Sequence, residues 1–368
     1  MIRYAIRTLR RQPFRLAFTV AAIGLCVVLI LFLLSIYEGV AVGSVAYVEH
    51  NRTDLWILQT GATNILRGSS FLTSSHGPVL CEVAGVWHAS PVLFILSTIT
   101  ARSGASTVYL TGYDPESGHG GPPIIVRGRN VANRGEIVLD RSFARKAGIS
   151  LGDTVRIRQS ELTVVGVSDG TNMFVIQYGF VPLAEAQEII GYPNLVTCYM
   201  VDLKPQSEVS QVQRAIREEL PGLEVFSHEE FVANNTREME SGILPLLYTI
   251  ALVGGVVLTT VLTLILSINI LERRKDSALL KTLGAPGPYL PRFVLAQAGV
   301  LGLAGLVAGC TLVAPMAAMI EQLAPEVSTK TTAVHVVLVS LGVVVMSAAS
   351  AAITARRLRR IYPLEAFQ

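Results

Sequence analysis

The chain is 368 residues long, 51% hydrophobic and only 15% charged, with a formal net charge of +3. A soluble domain averages about 25% charged residues, so this composition argues against a wholly soluble protein. The basic segments flank long apolar runs, and membrane anchoring accounts for them better than nucleic acid does.

Four runs carry no Asp, Glu, Lys or Arg: residues 16–37, 241–271, 293–320 and 331–355. A spanning helix needs roughly 20 apolar residues, so each run is long enough to cross a bilayer. Residues 1–15 hold Arg3, Arg7, Arg10, Arg11 and Arg15 and no acid. Residues 272–292 hold five bases against Glu272 and Asp276, and residues 356–368 hold four arginines against Glu365. Residues 41–240 reverse the balance, with 15 bases and 21 acids. The positive-inside bias therefore places both termini and the 272–292 loop in the cytoplasm, with the 41–240 domain and the 321–330 turn outside. The expected fold is a membrane protein of four transmembrane helices, with an α+β extracytoplasmic domain inserted between helix 1 and helix 2.

At the start, Ile2, Ile6 and Leu9 share one face and the arginines the others. That spacing predicts an amphipathic helix along the inner leaflet, turned into the first span by Pro13. The 22-residue apolar core of that span exceeds the roughly 7–15 residues of a cleaved signal, so it reads as an uncleaved anchor. The inserted domain shows strand patterns at 55–58, 107–111, 136–140, 154–157, 162–167 and 195–203. Helical patterns fall at 142–147, 181–190 and 208–219, and a polar helix precedes residue 240. The Gly-rich residues 117–123 read as a mobile loop. Cys81 and Cys198 fall in this domain, where an oxidising compartment permits a disulfide; two unpaired cysteines are the alternative. Cys26 and Cys310 sit in spans as packing residues.

The second apolar run is 31 residues, which as a helix reaches roughly 46 Å and overshoots a roughly 30 Å hydrocarbon core. It is expected to project outward as a stalk continuous with the polar helix before it. The third span carries Gly299, Gly302, Gly305 and Gly309; the last two are spaced for close helix contact, inside the chain or at a dimer seam. His335 near the outer end of the fourth span reads as an interfacial histidine rather than a proton relay.

Residues 271–291 read LERRKDSALLKTLGAPGPYLP. Ala278, Leu279, Thr282 and Leu283 recur at helical spacing, and Gly284 and Pro286 supply a stop. The two flanking spans thus deliver a short amphipathic helix to the cytoplasmic surface, suited to lipid headgroups or to a groove on a partner. Elsewhere no phosphate-cradling Gly-x-x-x-x-Gly-Lys, no His-Glu-x-x-His and no Gly-x-Ser-x-Gly occurs. The chain is expected to be non-catalytic, with no catalytic residues, metal ligands or cofactor of its own.

The loop from Glu272 to Ala285, the four-span topology and the strand–helix–turn order of residues 135–167 resemble MacB/FtsX/LolC-type ABC transporter permeases. The loop is similar to that family's E-R-x-x-E-I-x-x-L-x-A-L-G-A, with Asp276 where Glu is usual and Lys281 an added charge. The ending Tyr362-Pro363-Leu364-Glu365-Ala366 is similar to the family's P-x-E-A-L-R, with Phe367-Gln368 in place of Leu-Arg. In length the chain is nearest to DevC-like exporter permeases. The resemblance implies a multi-pass protein of the bacterial inner membrane, acting as the permease of an ATP-driven export complex by mechanotransmission. It implies two copies of a separate ATPase, which binds ATP and Mg, and a second permease copy as homodimer or heterodimer. A periplasmic membrane-fusion adaptor and membrane lipids complete the expected partners; nucleic acid is not among them. Glu272, Arg273, Arg274 and Asp276 would make polar contacts with the ATPase, Leu279, Leu280 and Leu283 would fill its groove, and Gly284 and Pro286 would end the helix. The alternative is an FtsX-like transducer that activates an extracytoplasmic partner without transport.

Overall fold

The computed structural model describes residues 13–65, 70–101, 104–171, 177–272, 289–323 and 329–358. The expected N-terminal amphipathic helix up to residue 12, and the tail beyond 358, lie outside the described residues. The elements run α1 (Pro13–His50), β1 (Leu55–Gln59), β2 (Leu72–Thr73), α2 (His76–Glu82), β3 (Val86–Ala101), β4 (Gly104–Tyr113) and β5 (Ile124–Gly128). Then come β6 (Glu136–Asp140), α3 (Arg141–Ala147), β7 (Thr154–Ile157), β8 (Ser160–Asp169), β9 (Gln177–Pro182) and α4 (Leu183–Ile190). The chain finishes with β10 (Leu195–Val196), β11 (Cys198–Leu203), α5 (Val209–Glu219), β12 (Leu223–Ser227), α6 (His228–Glu272), α7 (Tyr289–Leu323) and α8 (Ala333–Leu358).

Four helices carry segments long and apolar enough to span a membrane: Leu16–His50, Leu244–Ile268, Pro291–Leu323 and Ala333–Arg356. Two compact units result. In the membrane unit, Ile23, Val27 and Leu31 of α1 meet Leu258, Leu262 and Leu266 of α6, Val294, Ala298 and Leu301 of α7, and Val339 and Val343 of α8 in one core. A Cβ on Gly305 would overlap Ile23, and one on Gly309 would stand 2.6 Å from Val27 Cβ. The small-residue spacing therefore brings α7 against α1 within this chain. Between α8 and α6, Ser350 Oγ donates to the Thr259 carbonyl at 3.1 Å.

The second unit is the inserted domain, here the head. Its main sheet has the order β12-β1-β11-β3-β4-β9-β6-β8-β5, with β7 bridging β3 and β8. The β4–β9 and β6–β8 pairs are parallel, which makes the sheet mixed. β3 pairs with β11 over its first half and with β4 over its second, so one 16-residue strand joins two lobes. Side chains alternate between faces as a pleated strand requires. Leu55, Ile57, Tyr199 and Val201 pack under α2 and α5, and Val108, Leu110, Ile137 and Leu139 under α3 and α4. Trp56, Leu58, Val92, Phe94, Tyr178, Phe180 and Met200 line the opposite face.

Several expectations shift. α1 does not end near residue 37 but continues to His50; α6, by contrast, runs for 45 residues from His228 with Pro245 inside it, as the expected stalk continuous with the polar helix. The stretch 195–203 is two strands, because Thr197 Oγ1 turns aside to accept from Phe94 N at 2.8 Å, leaving β10 paired with β2 in a separate sheet. Of the two alternatives for Cys81 and Cys198, the unpaired one holds; both cysteines are free. Cys198 points into the Trp56 face, whereas Cys81 is exposed on α2, which covers the opposite face. Residues 117–123, expected to be mobile, are fastened by side chains, as detailed with His119 and Gly120 below.

Candidate functional site

The 272–292 loop is carried by α6 and α7. α6 closes at Glu272 and α7 opens at Tyr289. Of the expected coupling residues, Glu272 is the last residue of α6. Arg273, Arg274, Asp276, Leu279, Leu280, Leu283, Gly284 and Pro286 lie outside the described residues. Further from the loop, Leu262 and Leu266 of α6 and Val294 and Ala298 of α7 are fully buried in the same core.

At the other end of α6, and at the outer end of α1, lies an anchorage that no sequence pattern announced. α6 starts with a capping box: Ser227 Oγ accepts from Glu230 N at 3.2 Å, and Glu230 Oε2 accepts from Ser227 N at 2.8 Å. One turn on, the Phe231 ring stacks on Trp56 at 4.5 Å. Asn235, fully buried, donates to the Phe231 carbonyl at 2.8 Å and accepts from Ile65 N at 3.2 Å. The last turn of α1 enters the same core. Tyr47 stacks on Tyr178 at 5.2 Å and meets Phe94 edge-on at 5.4 Å. Its hydroxyl donates to the Gly120 carbonyl at 2.8 Å. Asn51, just beyond the helix, accepts from Gly120 N at 2.9 Å. Edge-to-face and offset aromatic pairs add about 0.5–1.5 kcal/mol each beyond area burial, so these roots are fixed rather than merely adjacent. Two helices that carry apolar spans therefore each have one end in the same aromatic core of the head.

The described residues hold no group of three or more His, Cys, Asp or Glu placed to bind a metal. The charged pairs that do form are structural. Arg129 clamps Glu136 through two bonds of 2.6 and 2.8 Å, and Ala132 N adds a third at 2.9 Å. The guanidinium bond, helped by the backbone donors, holds the Glu136 carboxyl well below the usual carboxylate range.

Two family models match this chain: the MacB-like periplasmic core domain over residues 16–219 and the FtsX-like permease C-terminal domain over residues 248–363. The chain belongs to the MacB/FtsX permease family. An ABC transporter permease of Mycobacterium bovis is 24% identical over 314 residues, 84% of each chain. A second permease, from Mycobacterium tuberculosis, is 25% identical over 328 residues, 87% of this chain and 88% of its own. A permease of Methanocaldococcus jannaschii is 25% identical over 191 residues, 48% of this chain and 46% of its own. Among solved structures, the periplasmic region of MacB from Actinobacillus actinomycetemcomitans is 14% identical with a TM-score of 0.40, covering 51% of this chain and 94% of that one. The extracellular domain of the transporter YknZ from Gram-positive bacteria is 14% identical with a TM-score of 0.38, covering 48% of this chain and 100% of that one. This MacB/FtsX permease is thus an ABC transporter permease with an extracytoplasmic domain between its first and second membrane helices, and its family implies an ATPase partner.

Proposed function

We propose that this permease is the non-catalytic membrane subunit of an ATP-driven export complex. It works by mechanotransmission: nucleotide-driven movement enters at the 272–292 loop and leaves through the head, which acts on a substrate or adaptor at the outer face of the inner membrane. The observation that supports this most is the pair of helix roots. α1 and α6 each run without a break between an apolar span and the head, and Tyr47 and Phe231 lock both into one core. A displacement of either helix must then be carried by the sheet or must tear out an aromatic side chain.

In this reading both termini are cytoplasmic, two permease copies pair, and each engages one ATPase. Glu272, Arg273, Arg274 and Asp276 make the polar contacts, while Leu279, Leu280 and Leu283 fill the ATPase groove. ATP and Mg stay with that partner, a periplasmic adaptor receives the movement, and lipids surround the spans. The test is substitution in the loop. Leu279→Asp or Leu283→Asp should leave insertion intact, break ATPase co-purification and abolish export. Export at the wild-type rate from either variant would remove the loop from the mechanism.

A further inference from the structure

We propose that residues 114–123, which join β4 to β5, form a protonation-controlled clasp: His119 bonded to Asp202 closes this strap over the last turn of α1, and loss of that bond releases it.

The strap begins at Tyr113, turns where Ser117 N donates to the Asp114 carbonyl at 3.1 Å, and ends at Pro122 and Pro123. Its centre lies tight against the head. Gly120 has φ +81°, and a Cβ there would come 2.8 Å from Val92 and 2.9 Å from Tyr113. Both backbone polar groups of Gly120 are taken by the root of α1, the carbonyl by Tyr47 Oη and the N–H by Asn51 Oδ1. Next to this point, His119 Nε2 meets Asp202 Oδ2 on β11 at 2.7 Å. Thr53 sits beside Asp202, its single hydroxyl proton shared between the Val201 carbonyl at 2.7 Å and Asp202 Oδ1 at 3.2 Å. The strap thus adds a tie between the end of α1, held at Gly120, and β11, held at Asp202. The strap and the end of α1 together line a cavity of about 420 Å³, bordered by Glu49, His50, Arg52, Tyr113 and His119.

The chemistry makes the tie pH-dependent. The Asp202 bond raises the His119 pKa above its ordinary value against the opposing effect of burial, and Asp54 adds to the rise. Burial pushes the Asp202 carboxyl up, but the bond and charge of His119, with the nearby His88, outweigh it and leave it below its ordinary value. Glu49, His50 and Arg52 face the strap across the cavity, and Asp114 and Glu116 belong to the strap itself. A histidine whose native pKa is raised contributes its stabilisation fully below about pH 6.5, and loses it as pH rises through the native value. The carboxylate contribution is present above about pH 3.9 and is lost as pH falls through the lowered value. The clasp is therefore closed in mild acid and loosens toward alkaline pH. The clasp goes beyond the export reading and does not depend on it, although its release would matter to transmission, because the strap holds the outer end of α1.

Hydrogen exchange read by mass spectrometry on the full chain in lipid nanodiscs tests this, with intrinsic exchange corrected for pH. From about pH 6 to about pH 9, protection of the 117–121 peptide should fall about tenfold in the wild type, the order expected for a charge-assisted bond. Peptides from β6 and β8 should hold theirs. His119→Gln and Asp202→Asn should each expose the strap at both pH values, with β3 and β4 still protected. A strap whose protection is flat with pH in the wild type, or a His119→Gln chain that keeps the wild-type pH dependence, overturns the proposal. No ATPase is present in the experiment, so its outcome is independent of whether the 272–292 loop couples to one.

Discussion

The membrane unit and the head are held by opposite devices. In the bundle, backbones approach closely at Gly305 and Gly309, and the core is aliphatic and, among the described residues, without aromatic stacking, with buried polar side chains such as Gln297 and Ser347 set among Leu, Ile and Val. In the head, a mixed sheet is sealed by stacked aromatics, and buried polar side chains such as Asn235 and Asn51 are tied to backbone. Smooth aliphatic helix faces permit small sliding movements, which are the shear mode of conformational change. An interlocked aromatic core resists them, because packed interiors transmit strain rather than absorb it.

The contrast between the units breaks most sharply at Phe231. Truncating a fully buried aromatic costs about 3–5 kcal/mol. Phe231→Ala should therefore unfold the head at temperatures the wild type survives, seen as protease cleavage within residues 54–227 of the full chain, while the spans stay inserted. Wild-type protease resistance would show that the α6 root is not held as described. Gly309→Leu attacks the other unit. Overpacking costs about 1–3 kcal/mol, and here the displaced neighbour is Val27 on α1. The expected result is a lower aggregation temperature on heated size-exclusion chromatography, with the protease pattern of the head unchanged. A smaller effect is expected at Glu136. Its carboxyl is held below the ordinary range, so its contribution is present at neutral pH and fades as pH falls through the native value. Glu136→Gln should loosen residues 129–135 at about pH 7 and differ less from wild type on acidification. Exchange protection of that loop is the measurement, and a gap that widens in acid would contradict the sign.

The four spans were legible because an apolar run of more than about 20 residues without a charge is long enough to cross a bilayer and rare in a soluble domain. The short strands at 136–140 and 154–157 were legible too, since alternation and the Gly152-Asp153 turn mark them locally. β3 was not. Its first half holds Pro91 and a bulge, where Leu203 pairs with Val86 and Asp202 with His88, so Trp87 has no strand partner on β11 and its side chain turns outward, 70% exposed. That breaks the two-residue period on which recognition depends. The outward extension of α1 was hidden because Glu38 and the small residues after it look like a chain leaving a membrane. The helix roots were not legible: Tyr47, Asn51, Trp56 and Phe231 do not form one local pattern, and only the sheet brings them together. The glycines at 117–123 signalled a turn, but not that Gly120 is gripped from two sides.

In this mechanism helix movement and head movement are one event. Spin labels on an exposed head position such as Glu161 test it, read as a head-to-head distance in the paired permease reconstituted with its ATPase. The predicted result is a distance that shifts between the nucleotide-free and ATP-trapped states, and a shift that vanishes in Leu283→Asp. Steady ATP hydrolysis with an unchanged head-to-head distance would contradict it.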